Sequence, residues 1–155
     1  MTDRTTLLAL AERVEAARVS DRTGLRNEVA LATGWHRVEP RFTKSKHGAW
    51  IKPCDFIGVH SDGSPKLDSL HGTDMHREPP NFLESLDAAM SLVPSEAYWR
   101  LGHDGDGADP AEYKADVIVP KLGGVDARGR AIAVTPPLAL TAACLRAIAR
   151  NMTDD

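Results

Sequence analysis

An α+β fold is what this chain predicts, with a small antiparallel meander packed between helices. Three observations carry the prediction. Residues 3–18 place apolar side chains at helical spacing. The stretch from Tyr98 to Val134 alternates apolar and polar residues between turn-rich breaks. The chain then closes on an alanine-rich run behind two prolines. A length of 155 residues suits one domain, 1–155. Such a chain buries roughly two thirds of the surface its unfolded form exposes, so its core needs no staple. Aromatic residues are only 5%, so alanine and leucine must fill most of the core, which favours closely packed helices.

The elements follow in order. Leu7, Leu10, Ala11, Val14 and Ala17 recur at spacings of three and four and share one helical face, with Asp3 as its cap. A shorter helix carries Leu25, Val29 and Ala32, ends at Gly34, and lets Trp35 fold back on the core. Together, residues 3–34 read as a helical hairpin. Residues 36–80 read as an irregular insert. "GAWIKPCDFIGVH" has room for one short strand, which Pro53 weakens, and "HSDGSPKLDSLHGTDMHREPP" has the composition of a loop. A loop that long is uncommon in a compact domain, so it is either an insertion or the functional part.

From residue 81 to 152 the pattern predicts helix, three strands, helix. In "PPNFLESLDAAMSLVP", Asn81 caps and Glu84 reaches back to it. Phe82, Leu86, Ala89, Met90 and Val93 form the stripe, and Pro94 stops the helix. "AYWRLGH", "EYKADVIVPKLG" and "AIAV" are the strands, with Tyr113, Ala115, Val117 and Val119 on one face of the second and "GGVDARGR" as a turn. Thr135 caps the last helix, and Pro136 takes its first position, where a missing N–H costs nothing. Leu138, Ala142, Leu145, Ile148, Ala149 and Met152 make its apolar face, opposite Arg146 and Arg150.

Composition narrows the function. A net charge of −3 gives no pull toward nucleic acid or an anionic membrane. Arg41, Lys44, Lys46 and His47 form a basic cluster that reads as a solvated loop. The two cysteines, Cys54 and Cys144, make no disulfide framework, and Cys144 reads as a small buried hydrophobe. The charged N-terminus is neither a signal peptide nor a membrane span, so a cytoplasmic location is expected.

Site chemistry is sparse. His60, His71 and His76, with Cys54, Asp62 and Asp74, make a loose set of metal-ligand types. The x4 spacing of His71 and His76 is not that of a standard zinc pair, so these two are weak candidates and no metal is expected. Asp104, Asp106 and Asp109 open like a calcium loop, but Ala115 stands where the twelfth-position acid belongs. No nucleophile elbow and no phosphate-binding glycine loop is framed, so no cofactor is expected. Trp50, Phe56 and Ile57 are apolar residues in polar surroundings, fit either to fold under the insert or to form a contact patch.

Three stretches in this order resemble a family of small phage and prophage proteins, the phage ABA sandwich domain. They are "LRNEVALATGWHR", "PPNFLESLDAAMSLVP" and the run from "YWRLG" through "AVTPPLALTAACLRAI", together roughly half of the chain. The resemblance implies an α+β sandwich with helices on both sides of a small antiparallel sheet. It brings no catalytic motif to carry over. It points to a non-enzymatic phage or prophage accessory protein, acting in the bacterial host cytoplasm by binding a host protein, such as a defence component, or another phage protein. Trp50, Phe56, His60, His71 and His76 in the middle segment are the expected contacts. The rival readings are a binder that sequesters a small molecule and a small metal-dependent enzyme.

Overall fold

A computed structural model describes residues 2–18, 22–68, 75–104 and 112–152. The elements run α1 (Arg4–Glu15), α2 (Arg22–Ala32), β1 (His36–Val38), a 3-10 turn (Pro40–Phe42), β2 (Ala49–Ile51), β3 (Phe56–Val59), β4 (Pro65–Leu67), α3 (Leu86–Met90), β5 (Tyr98–Asp104), β6 (Glu112–Val119), β7 (Ala127–Ala133) and α4 (Pro136–Asn151). The class is α+β, with antiparallel sheets. Two compact units divide the chain, Met1–Arg26 with Asn81–Asp155, and Asn27–Pro80.

The first unit is built around α4. Thr135 caps it by accepting from the Leu138 amide, and Pro136 and Pro137 occupy its first turn. Residues from Pro137 to Leu145 are all buried, not only those of one stripe. A helix apolar on every side must be covered on every side. Strands β6 and β7 of the β5–β6–β7 meander cover one flank, α1 another, and α3 also packs on the helix, so the layers run sheet, α4, α1. The packing partner of α1 in this unit is therefore α4. Leu7, Leu10, Ala11 and Val14 are its buried face, and Asp3 caps it by accepting from the Thr6 amide at 2.7 Å.

Strand β7 begins at Ala127, so "ARGR" is strand where the pattern predicts a turn. Gly129 explains the close fit. A Cβ there would lie 2.6 Å from the Ala147 nitrogen of α4, and closer still to the Ala143 carbonyl oxygen. Glycine in a strand often marks such an approach of two backbones. From α4, Arg146 and Arg150 reach the carbonyls of Arg130 and Arg128, which covers the outer edge of β7. Arg146 also pairs with Glu15 at the end of α1.

The helix expected over 81–94 shrinks to α3. Ser85 is extended (φ −109, ψ 121) and its side chain caps Ala88. Asn81 and Glu84 do bond, at 2.8 Å, but Glu84 also takes Arg22 at 3.0 Å. The Phe82 carbonyl accepts from the buried Thr141 hydroxyl at 2.8 Å, which ties this segment to α4. Met90, placed in the buried stripe by its spacing, is exposed.

The second unit has more order than its composition suggests. β1 pairs with β2, and β3 with β4 through a register shift between Phe56 and Gly58. Val38, Ala49 and Ile51 form a small core, with Phe42, Phe56 and Leu67 against it. Among the described residues no helix is long and apolar enough to cross a membrane.

Candidate functional site

Among the described residues, the expected contacts of the middle segment do not gather on one surface. Trp50 is buried, at 6% exposure. Its backbone exchanges two 2.7 Å hydrogen bonds with His76, which holds the segment around His76 against β2. That is a packing role, so the Trp50 ring is not available as a contact. His76 stands edge-on to Trp35, at 5.6 Å between ring centroids. Phe56 is half-buried and stacks on His36 at 3.9 Å. Burial lowers the His36 pKa, so its ring is held more firmly neutral. His60 is exposed at the β3–β4 turn, where its carbonyl accepts from Gly63 and its amide donates to Ser64. His71 and Asp74 lie outside the described residues. Among the described residues no three His, Cys, Asp or Glu side chains converge as a metal site requires.

Among the described residues, the densest constellation of charge is elsewhere, on the meander. Register places Arg100 opposite Asp116 on β6, and Asp116 opposite Arg130 on β7. Side chains alternate along a strand, so these three share the face turned away from α4. Arg128, on the next rung, belongs to the same face. Asp116 is only 4% exposed although it lies on an open polar surface. The arginines cover it. Arg128 donates to it through both Nε and Nη2, Arg100 donates through Nη2 at 3.3 Å, and the Arg130 Nε stands 3.7 Å away.

A buried carboxylate with this many donors stays ionised. The Arg128 hydrogen bonds, and after them its charge, hold Asp116 below the usual carboxylate range. The same bonds raise Arg128. Asp116 thus fixes the Arg128 guanidinium at two points, as an ionised oxygen pair orients a planar fork, and draws Arg100 and Arg130 toward it by charge. It neutralises only one of them. Lys114 stands on the same face one rung along and makes no ion pair among the described residues. Around Asp116, four cations therefore face one carboxylate, a surplus of three positive charges. Among the described side chains of β6, the next acid on this face is Glu112, about 14 Å along the strand from Asp116.

Sequence reasoning missed this site. Arg100, Asp116, Arg128 and Arg130 are spread over 31 positions, and only the register of three strands brings them together. One signal was present. Arg128 and Arg130 flank a glycine at i and i+2, the spacing that puts two side chains on one strand face. No family model, curated protein or solved structure matches the chain.

Proposed function

We propose that this protein works by binding rather than by catalysis, and that it grips an anionic partner with the arginine-bearing face of its meander. One observation carries the reading. Three arginines, paired by charge with a single buried acid, share one exposed sheet face with a lysine. Guanidinium groups ordered in advance lose little freedom when an anion arrives, and surplus charge raises the rate of encounter. The family resemblance suggests a host or phage protein within the bacterial host as the partner, and the arginine face suggests an acidic surface on it.

The test is capture from bacterial lysate by the tagged protein and by the charge-reversed variant Arg100→Glu/Arg130→Glu, after circular dichroism shows that both are folded. The wild-type protein should retain a partner at about 0.1 M salt and release it as salt rises severalfold, because surface charge is screened. The reversed variant should retain none. Capture of the same partner by the reversed variant would refute this reading.

A second reading keeps the middle segment as the contact. Ile57 and Val59 project from β3 at 64% and 52% exposure. It expects Ile57→Ser/Val59→Ser, rather than charge reversal on the meander, to abolish capture.

A further inference from the structure

We propose that the arginine-bearing face holds a site for a phosphate monoester, seated in a hollow over Gly102 between Arg100, Lys114 and Arg130. This inference rests on the reading of that face as the working surface and names the chemical group it recognises.

The hollow is the first observation. It measures about 340 Å³ and is walled by Arg100, Lys114, Asp116, Arg130 and the β5 stretch from Leu101 to His103. That is at the lower end of the range for small-ligand sites. A phosphate group fills only part of it, which leaves room for the group that carries the ester.

Gly102 creates the space. It pairs with Lys114 across the β5–β6 ladder, where any other residue would project a side chain onto the same face. Its φ is not positive, and a Cβ there would meet no atom within 4 Å. The backbone thus has no need of glycine at this position. The physical consequence of glycine is the opening itself.

The donors then divide by role. Arg128 spends Nε and Nη2 on Asp116 and acts as the anchor. Arg100 spends a single N–H there, and Arg130 approaches Asp116 without a hydrogen bond. Each guanidinium carries five N–H donors, so both retain most of theirs, and the Lys114 ammonium adds three. Three cationic groups with free donors around one hollow match a dianion with three terminal oxygens. A carboxylate, with two oxygens and one charge, leaves one of the three cations unmatched. Asp116 opposes any anion, but its charge is already committed to the arginines, and the local surplus remains positive.

The experiment is isothermal titration of the full chain with inorganic phosphate, adenosine monophosphate and a phosphoserine peptide. Acetate and the unphosphorylated peptide serve as controls. Saturable heat with the phosphate compounds, at least about tenfold tighter than with acetate, is expected. Arg130→Gln should weaken it about tenfold or more. Gly102→Val should abolish it while the melting temperature stays level or rises, since that backbone accepts a side chain and valine suits a strand. Tighter binding of the nucleotide would identify a soluble phosphomonoester, and tighter binding of the peptide a phosphorylated chain. Either result supports the site. Absence of saturable heat from every phosphate compound at about 10 mM and low salt would overturn it. So would binding unchanged in Arg130→Gln and Gly102→Val. If phosphate fails while charge reversal still releases a protein partner, only the phosphate site falls and the anionic grip stands.

Discussion

Replacing Gly129 with alanine tests the packing that supports the whole first unit. The added Cβ would stand 2.6 Å from the Ala147 nitrogen and 3.0 Å from the Ala143 carbonyl carbon. Carbon contacts settle at about 3.5 Å or beyond, so α4 and β7 must part by on the order of 1 Å. Neither side yields cheaply. The obstacles are backbone atoms of a helix that is buried on both flanks. Overpacking typically costs about 1–3 kcal/mol, and a clash with helix backbone belongs at the upper end. For a chain of this size, about 3 kcal/mol lowers the melting temperature by roughly 6–12 °C. Ellipticity at 222 nm during thermal unfolding follows α1 and α4 and is the suitable assay. Gly102→Ala is the control, because it has the same chemistry in the same sheet with open space around it. It should be neutral or gain up to about 1 kcal/mol from reduced freedom of the unfolded chain. If Gly129→Ala melts with the wild type, the close approach of β7 to α4 is not as described.

Three further outcomes follow from the same structure. Thr141→Val keeps the shape but strips the donor from the buried Phe82 carbonyl, and should cost about 1–2 kcal/mol by urea denaturation. In the native state one thiol of two should react with Ellman's reagent, because Cys54 is exposed while burial pushes Cys144 up to about 12; both should react in denaturant. Asp116 and Glu84 have folded pKa values below their ordinary 3.8 and 4.5, each chiefly through an arginine hydrogen bond. Their contribution to stability is therefore complete above those ordinary values and lost as pH falls through the lower folded ones. Melting temperature should drop below about pH 4, and Asp116→Asn should flatten part of that drop; an unchanged acid profile in the variant would exclude Asp116 from it.

Much of the framework was legible in the residues. The caps at Asp3 and Thr135, the buried faces of α1 and α4, and the alternation of β6 are local properties. Each depends on residues within a turn or two of one another, so spacing alone reports them. Length and lineup were less legible. "ARGR" looks like a turn until α4 is laid against Gly129, and the predicted helix over 81–94 gives way once Phe82 is tied to Thr141. The middle segment looks irregular because its strands are only three or four residues long, too short for periodicity to show, and their pairing supplies the order.

By itself, then, the sequence determined the class, the capped starts of the first and last helices and the apolar face of α1. Only the tertiary structure decided which charges meet. Asp116 is one of 22 acidic residues with nothing local to mark it. It becomes the centre of the molecule's densest described cationic surface because antiparallel register sets Arg100 on one side and Arg130 on the other. Register is a property of paired strands and of the face α4 buries, so a rung of charge exists only when the sheet does.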